Sequence, residues 1–341
     1  MLRISNLVIP ASSTRQLPGK NNAQLRLSVN CYEDVRNDRF NNNNDNDEGI
    51  NMILAHANGF HKEIWEPIIR SLFNNKNLNI NKIFALDCSN QGESAVLNEN
   101  ILPDTYKWWD YGYDILQVID YVQIEEPIVG IGHSLGGTAT FMAELIRPGT
   151  FSCIVAIDPA ISPATLNYAM ATPTLKRKDT WENREAAKES FLKNKFFKTW
   201  DPKVLDLYVE YGLRDLSNGQ VTLKCSKFQE HYTFVHDIHG AFQAFDRLHE
   251  IECPILFMTG EKSEMNSREW ASLKQSRTRR GEWHEIPDCG HLVIMEKPEL
   301  TIFPIESFVH KHLVELKDIP TIPNNPSRND EYTGFQIHPK L

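Results

Sequence analysis

Two side chains with the chemistry for acyl transfer stand out from their surroundings. In VGIGHSLGGTAT an apolar run reaches Gly132-His133-Ser134-Leu135-Gly136-Gly137, and a helix-forming run follows. A serine on such a strand-to-helix turn projects its hydroxyl above the sheet. Gly132 and Gly136 flank it, and small residues are what so tight a turn requires, because it brings backbones close and strains the nucleophile's φ/ψ. The N-terminus of the helix then stabilises developing negative charge. The second residue is His291, which follows Gly290 and the last strand candidate in IPDCGHLVIMEKPE. An imidazole there suits deprotonation of Ser134 and reprotonation of a leaving group. A carboxylate must complete the set, holding the imidazole in the right tautomer and stabilising its charged form.

The elements that must position these groups alternate between strand and helix, which points to a mostly parallel sheet covered on both faces. Strand candidates are NMILAH, KIFALD, PIVGIGH, CIVAID, ILFMTG and WHEIP, and helical patterns fill KEIWEPIIRSLF, WWDYGYDILQVIDYV, GTATFMAELI, REWASLKQ and a last segment around ESFVHKHLVEL. Pro304 should mark the start or a kink of that last helix. The first residues read as an extended lead-in to a first strand, AQLRLSVNCYE, rather than as a transit peptide. NNNNDNDEG reads as a hairpin loop. From about Ser162 to about Glu250 only helical patterns occur; Asp201, Pro202 and Gly212 supply N-cap, first turn and end for the clearest of them. This interval reads as a helical cap inserted between two strands.

The organisation expected is therefore a core over residues 1–161, a cap over 162–250, the rest of the core over 251–316, and a tail over 317–341. A chain of 341 residues with a net charge of -9 argues against a general nucleic-acid binder. No apolar run approaches the length of a membrane-spanning helix. The six scattered cysteines, with no CxxC spacing, suit buried thiols better than disulfides or a zinc site.

The elbow resembles the GxSxG signature of the α/β-hydrolases, and the resemblance runs from roughly Ile50 to Leu316. LAHANGFHKEIWEP is similar to that family's oxyanion loop, with Ala57 where glycine is usual. The resemblance implies that the backbone N–H groups of Asn58 and Leu135 form the oxyanion hole. LDCSNQGES resembles a family stretch with Gln91 in place of histidine, and reads as scaffold. In this family the catalytic aspartate commonly stands three residues past the glycine that ends ILFMTG, where this chain has Ser263. Glu264 lies one residue further on, while Asp158 ends CIVAID. Asp158 is favoured, because a strand end fixes geometry better than a loop; Glu264 stays as the alternative acid, and an Asp before Pro can also simply turn the chain.

Serine rather than aspartate at the elbow points to acyl transfer, not epoxide or halide chemistry. The expected activity is hydrolysis of acyl esters through an acyl-enzyme, with no metal or organic cofactor. A thioesterase or acyltransferase, or a non-catalytic ligand-binding protein on this fold, are the alternatives. The aromatic cap segments FLKNKFFKTWDP and HGAFQAFDRLH, with LPDTYKWWDYG, point to an apolar acyl or aromatic substrate. Pro339-Lys340-Leu341 is a near-match to a peroxisomal import tripeptide. Together with HANGFHKEIWEP, DCSNQGESA, GHSLGG and FFKTWDPKVLDLYVEYGLRD it resembles fungal peroxisomal α/β-hydrolases. That implies a peroxisomal matrix location and an import receptor as partner, with mitochondrion or cytoplasm as alternatives.

Overall fold

The computed structural model describes residues 2–15, 23–35, 49–74, 78–163, 171–237 and 239–314. The strands of the main sheet are β1 (Leu2–Pro10), β2 (Arg26–Asp34), β3 (Ile50–Ala55), β4 (Ile80–Leu86), β5 (Ile128–His133), β6 (Cys153–Ile157), β10 (Ile255–Gly260) and β11 (Gly281–Ile286). They run in the order β1-β2-β4-β3-β5-β6-β10-β11. Pairing is parallel from β4 through β11, whereas β1 and β2 are antiparallel additions at one edge.

Side-chain alternation along these strands feeds two cores, one on each face. Met52 and Leu54 of β3, with Val155 and Ile157 of β6, join helices α1 (Glu66–Asn74) and α12 (Pro298–Leu313). Ile53, Ala55, Ile154 and Ala156 face the other way, toward α3 (Trp108–Val122) and α4 (Leu135–Ile146). Helices α2 (Gly92–Asn98), α10 (Arg268–Ser276) and α11 (Val293–Glu296) complete the core.

Between β6 and β10 lie helices α5 (Ala171–Lys176), α6 (Arg184–Lys193), α7 (Pro202–Gly212), α8 (Lys227–Val235) and α9 (Gly240–Asp246). They carry a small sheet of β7 (Thr180–Trp181), β8 (Leu213–Asp215) and β9 (Val221–Leu223). The all-helical reading of this interval misses those strands, which at two or three residues are too short to show a period of two. Asp201 does cap α7, accepting from the N–H groups of Lys203 and Val204. Phe191, Phe197, Trp200 and Tyr208 pack with Phe60 of the core, so the insertion is joined to the sheet domain by a shared aromatic cluster.

Two further expectations change. The lead-in segment is a regular strand, β1, paired with β2 over its whole length although only Ile9 of its nine residues is buried. Backbone pairing at the sheet edge, not burial, holds it there. Helix α12 begins at Pro298, so the buried Pro304 lies inside the helix and does not mark its start. The asparagine-rich loop, apart from Gly49, and the tail with its terminal tripeptide lie outside the described residues.

Candidate active site

The register of three neighbouring strands sets the site. His133 pairs with Ile157, and Ile157 pairs with Met258, so β5 and β6 end in one row while β10 runs two residues further, to Gly260, beside β11. The residues that step off the ends of β5 and β6 are Ser134 and Asp158, at the place where ligands meet parallel sheets.

Ser134 has φ 54 and ψ -117, a conformation that L-residues avoid. The turn is held by Ser134 N–H donating to Ile157 O at 2.9 Å and by Ser134 O accepting from Ala160 N–H at 3.1 Å. A Cβ on Gly132 would lie 2.4 Å from the Gly136 carbonyl carbon, and one on Gly136 would lie 2.1 Å from Ala55 O. No other residue fits at either position without moving backbone.

His291 Nε2 stands 3.0 Å from Ser134 Oγ, and its Nδ1 stands 2.6 Å from Asp158 Oδ1. Asp158 is fully buried and itself has φ 43. Its Oδ1 also accepts from Ser263 Oγ at 2.8 Å and Asn266 Nδ2 at 2.6 Å, and its Oδ2 accepts from Gly260 N–H at 3.0 Å. Burial alone would raise this carboxyl, yet the facing His291 and these donors hold it below the usual carboxylate range. Ser263, at the position where an aspartate is common, is here a hydrogen-bond donor to Asp158. Glu264 is exposed in the loop after β10 and makes no described contact with His291.

The other histidines near the site are structural. His133 Nε2 donates to His291 O at 2.9 Å, and burial lowers the His133 pKa to about 3, so the ring stays neutral while fixing the His291 backbone. His56 Nδ1 donates to Ala57 O at 2.8 Å and its Nε2 accepts from Cys88 N–H at 3.1 Å; burial lowers its pKa to about 4.

Asn58 and Leu135 line the same cavity as Ser134. Leu135 opens α4, so its N–H has no intrahelical acceptor. In the loop carrying Asn58 the left-handed conformation falls on Gly59, with φ 85, and not on Ala57, which explains why alanine is tolerated there. Gln91, read from sequence as scaffold, supports this loop directly. Its Nε2 donates to Asn58 Oδ1 at 2.6 Å and its Oε1 accepts from Gly59 N–H at 2.7 Å. Asn58 Nδ2 in turn donates to the backbone carbonyl of Glu230 on α8 at 3.0 Å, tying the loop to the cap.

The cavity over Ser134 measures about 120 Å³ and is walled by Phe60, Trp108, Phe196, Phe234, Met265 and Leu292, with the Arg177–Glu230 ion pair at one end. Arg177, Phe196, Tyr208 and Glu230 separate it from a chamber of about 350 Å³ inside the cap. A groove of about 980 Å³ between core and cap, lined by Arg70, Arg184 and Tyr211, contains none of Ser134, His291 and Asp158, whereas the smaller cavity holds Ser134 and His291 and is the candidate site. Sequence reading missed Gln91, Asn266, Lys274, Arg177 and Glu230 as site neighbours. Only Gln91 left a signal, as a departure from the family stretch.

The pattern of the alpha/beta hydrolase family matches residues 52–302. The type I acyl-CoA thioesterase mpaH of Penicillium roqueforti is 30% identical over 226 residues, which are 62% of this chain and 51% of that protein. The chain thus spans about half the length of the Penicillium thioesterases it matches. The abhydrolase domain-containing protein AFT2-1 of Alternaria alternata is 26% identical over 224 residues, covering 55% of this chain and 85% of that protein. The solved structure of the peroxisomal alpha-beta-hydrolase Lpx1 from Saccharomyces cerevisiae superposes with a TM-score of 0.80 at 20% identity, covering 91% of this chain and 89% of that one. At that identity the likeness is one of fold.

Proposed function

The chain belongs to the alpha/beta hydrolase family, and from that premise we propose that it is a serine hydrolase cleaving acyl esters through an acyl-enzyme. The observation that carries the reading is the hydrogen-bonded row Asp158–His291–Ser134 beneath an apolar cavity. Ser134 Oγ attacks the acyl carbonyl while His291 Nε2 takes its proton. Asp158 keeps Nδ1 protonated and stabilises the imidazolium that forms. The N–H groups of Asn58 and Leu135 receive the oxyanion. His291 then gives the proton to the leaving oxygen, and a water activated in the same way releases the acid. The aromatic and aliphatic walls select an apolar acyl group.

Acyl thioesters form the second reading. It is favoured by the name of the Penicillium relatives, which describes acyl-CoA thioesterases. Purified wild type and Ser134→Ala should be assayed on p-nitrophenyl esters and on acyl-CoA thioesters from acetyl to palmitoyl. Turnover lost in the alanine variant supports the reading, and the preferred series identifies the leaving group. Unchanged turnover in the variant, or none in wild type on either series, would sink it.

The matrix of the peroxisome is the location we propose, supported by the description of the Saccharomyces cerevisiae structure as peroxisomal. A fluorescent fusion with and without Pro339-Lys340-Leu341 tests it; mitochondrial or diffuse fluorescence with the intact tripeptide would overturn it.

A further inference from the structure

Behind the acid lies a charged residue that the mechanism above does not use. Lys274, on α10, is 1% exposed. Burying an ammonium is unfavourable unless it is well paired. Among the described residues no carboxylate lies within ion-pair distance of its Nζ. It donates to Asn266 Oδ1 and, at 3.4 Å, to Pro159 O. Both acceptors adjoin Asp158: Pro159 is its chain neighbour, and Asn266 Nδ2 donates to Asp158 Oδ1 at 2.6 Å.

The direction of these bonds is dictated by chemistry. An ammonium can only donate, so it fixes the Asn266 amide with its oxygen toward α10 and its nitrogen toward the acid. Without the ammonium the amide keeps only the acceptors on its nitrogen, Asp158 Oδ1 and, at 3.4 Å, Pro159 O, and loses the anchor on its oxygen, so one of the donors that orient Asp158 is less firmly placed. We infer that Lys274 is a positioning residue for the reaction, holding the Asn266 amide in the one orientation that keeps Asp158 seated against His291. An unbroken row then runs from Lys274 through Asn266, Asp158 and His291 to Ser134.

Burial draws the Lys274 pKa down to about 8 against the attraction of Asp158. Asp158, at the end of β6, is the charged group facing it; Asn266 and the Pro159 carbonyl are neutral. The ammonium is therefore present below about pH 8 and lost above it, so the support it gives the acid fades on the alkaline side.

The inference rests on Ser134, His291 and Asp158 acting together, and its test has one readout that needs no substrate. Wild type, Lys274→Met and Asn266→Ser are compared by the NMR resonance of the His291 Nδ1 proton in the free protein and by kcat/KM against pH, per titrated active serine. Both variants should lose about tenfold to a hundredfold in kcat/KM at pH 7, mostly in kcat, as for a modest misplacement of a catalytic group. They should also lose the alkaline limb near pH 8 and shift or broaden the His291 resonance. Lys274→Met that melts earlier yet keeps the wild-type rate per site, limb and resonance would reduce Lys274 to a core filler. If Lys274→Met does not fold, Asn266→Ser decides on the same readouts. If no substrate turns over at all, the serine-hydrolase reading fails, while the resonance still decides the role of Lys274.

Discussion

Replacing Asp158 with asparagine discriminates sharply, because the surroundings of this carboxyl dictate how the amide must sit. Three donors converge on Oδ1, from His291, Ser263 and Asn266, while Gly260 N–H meets Oδ2. The amide oxygen will take the place facing three donors, leaving the NH2 group against Gly260 N–H. His291 then keeps its Nδ1 proton and its tautomer, and loses only the negative charge of its partner. A hydrogen bond to a charged group is worth about 1.5–3 kcal/mol net, which is roughly 10- to 160-fold in kcat/KM at about 1.36 kcal/mol per decade. The clash at Gly260 should destabilise the fold by about 1–3 kcal/mol. The assay is kcat/KM per titrated active site, with urea unfolding on the same sample. A loss of about 10⁴-fold, as expected when the imidazole tautomer inverts, would show that the donors do not hold the amide. Wild-type activity would remove Asp158 from the mechanism. Glu264→Gln is the companion variant, and its exposed position predicts no change.

Other outcomes follow from the same geometry. Gly136→Ala would push a Cβ to within 2.1 Å of Ala55 O, so it should cost more than about 3 kcal/mol in urea unfolding or yield insoluble protein; a stable, active variant would contradict the elbow described. Gln91→Leu, by releasing Asn58 and Gly59, should lower kcat by about tenfold with little change in KM; an equal loss in stability with unchanged kcat would assign Gln91 to folding alone. His56 and His133, with pKa values lowered to about 4 and about 3, stay neutral in the folded chain while their unfolded counterparts protonate below about 6.5. The unfolded state then binds more protons, so each ring should withdraw up to about 1.4 kcal/mol per pH unit as pH falls from about 6.5 to about 4. Urea midpoints that stay level across that window would refute the neutral assignment.

What could be read from the chain was local. The elbow was legible because its glycines, serine and following helix are contiguous, and because β5 and β6 are apolar runs with no competing reading. The identity of the acid was harder, since nothing near Asp158 in sequence shows that Ser263 and Asn266 donate to it; those contacts span 105 and 108 residues. Lys274 looked like one more polar residue on an amphipathic helix, and only the approach of α10 to the end of β6 buries it. Edge strand β1 escaped because pairing, not periodic burial, stabilises it. The three cap strands escaped because they are shorter than any pattern.

The placement of the proposed acid, Asp158, bears on how this scaffold can change. The chain leaves the sheet for the cap at Asp158 itself, and Ala160 N–H is still bonded to Ser134 O two residues later. The cap's point of departure and the proposed acid are the same residue, so a displacement of the cap at that point would also displace Asp158. Transplanting a foreign cap onto this core should accordingly be spliced beyond Ile161, keeping the native Asp158–Ile161 segment. The loop after β10 presents Ser263 and Asn266 to Asp158 and Met265 to the cavity wall, while the side chain of Glu264 is exposed and open to redesign.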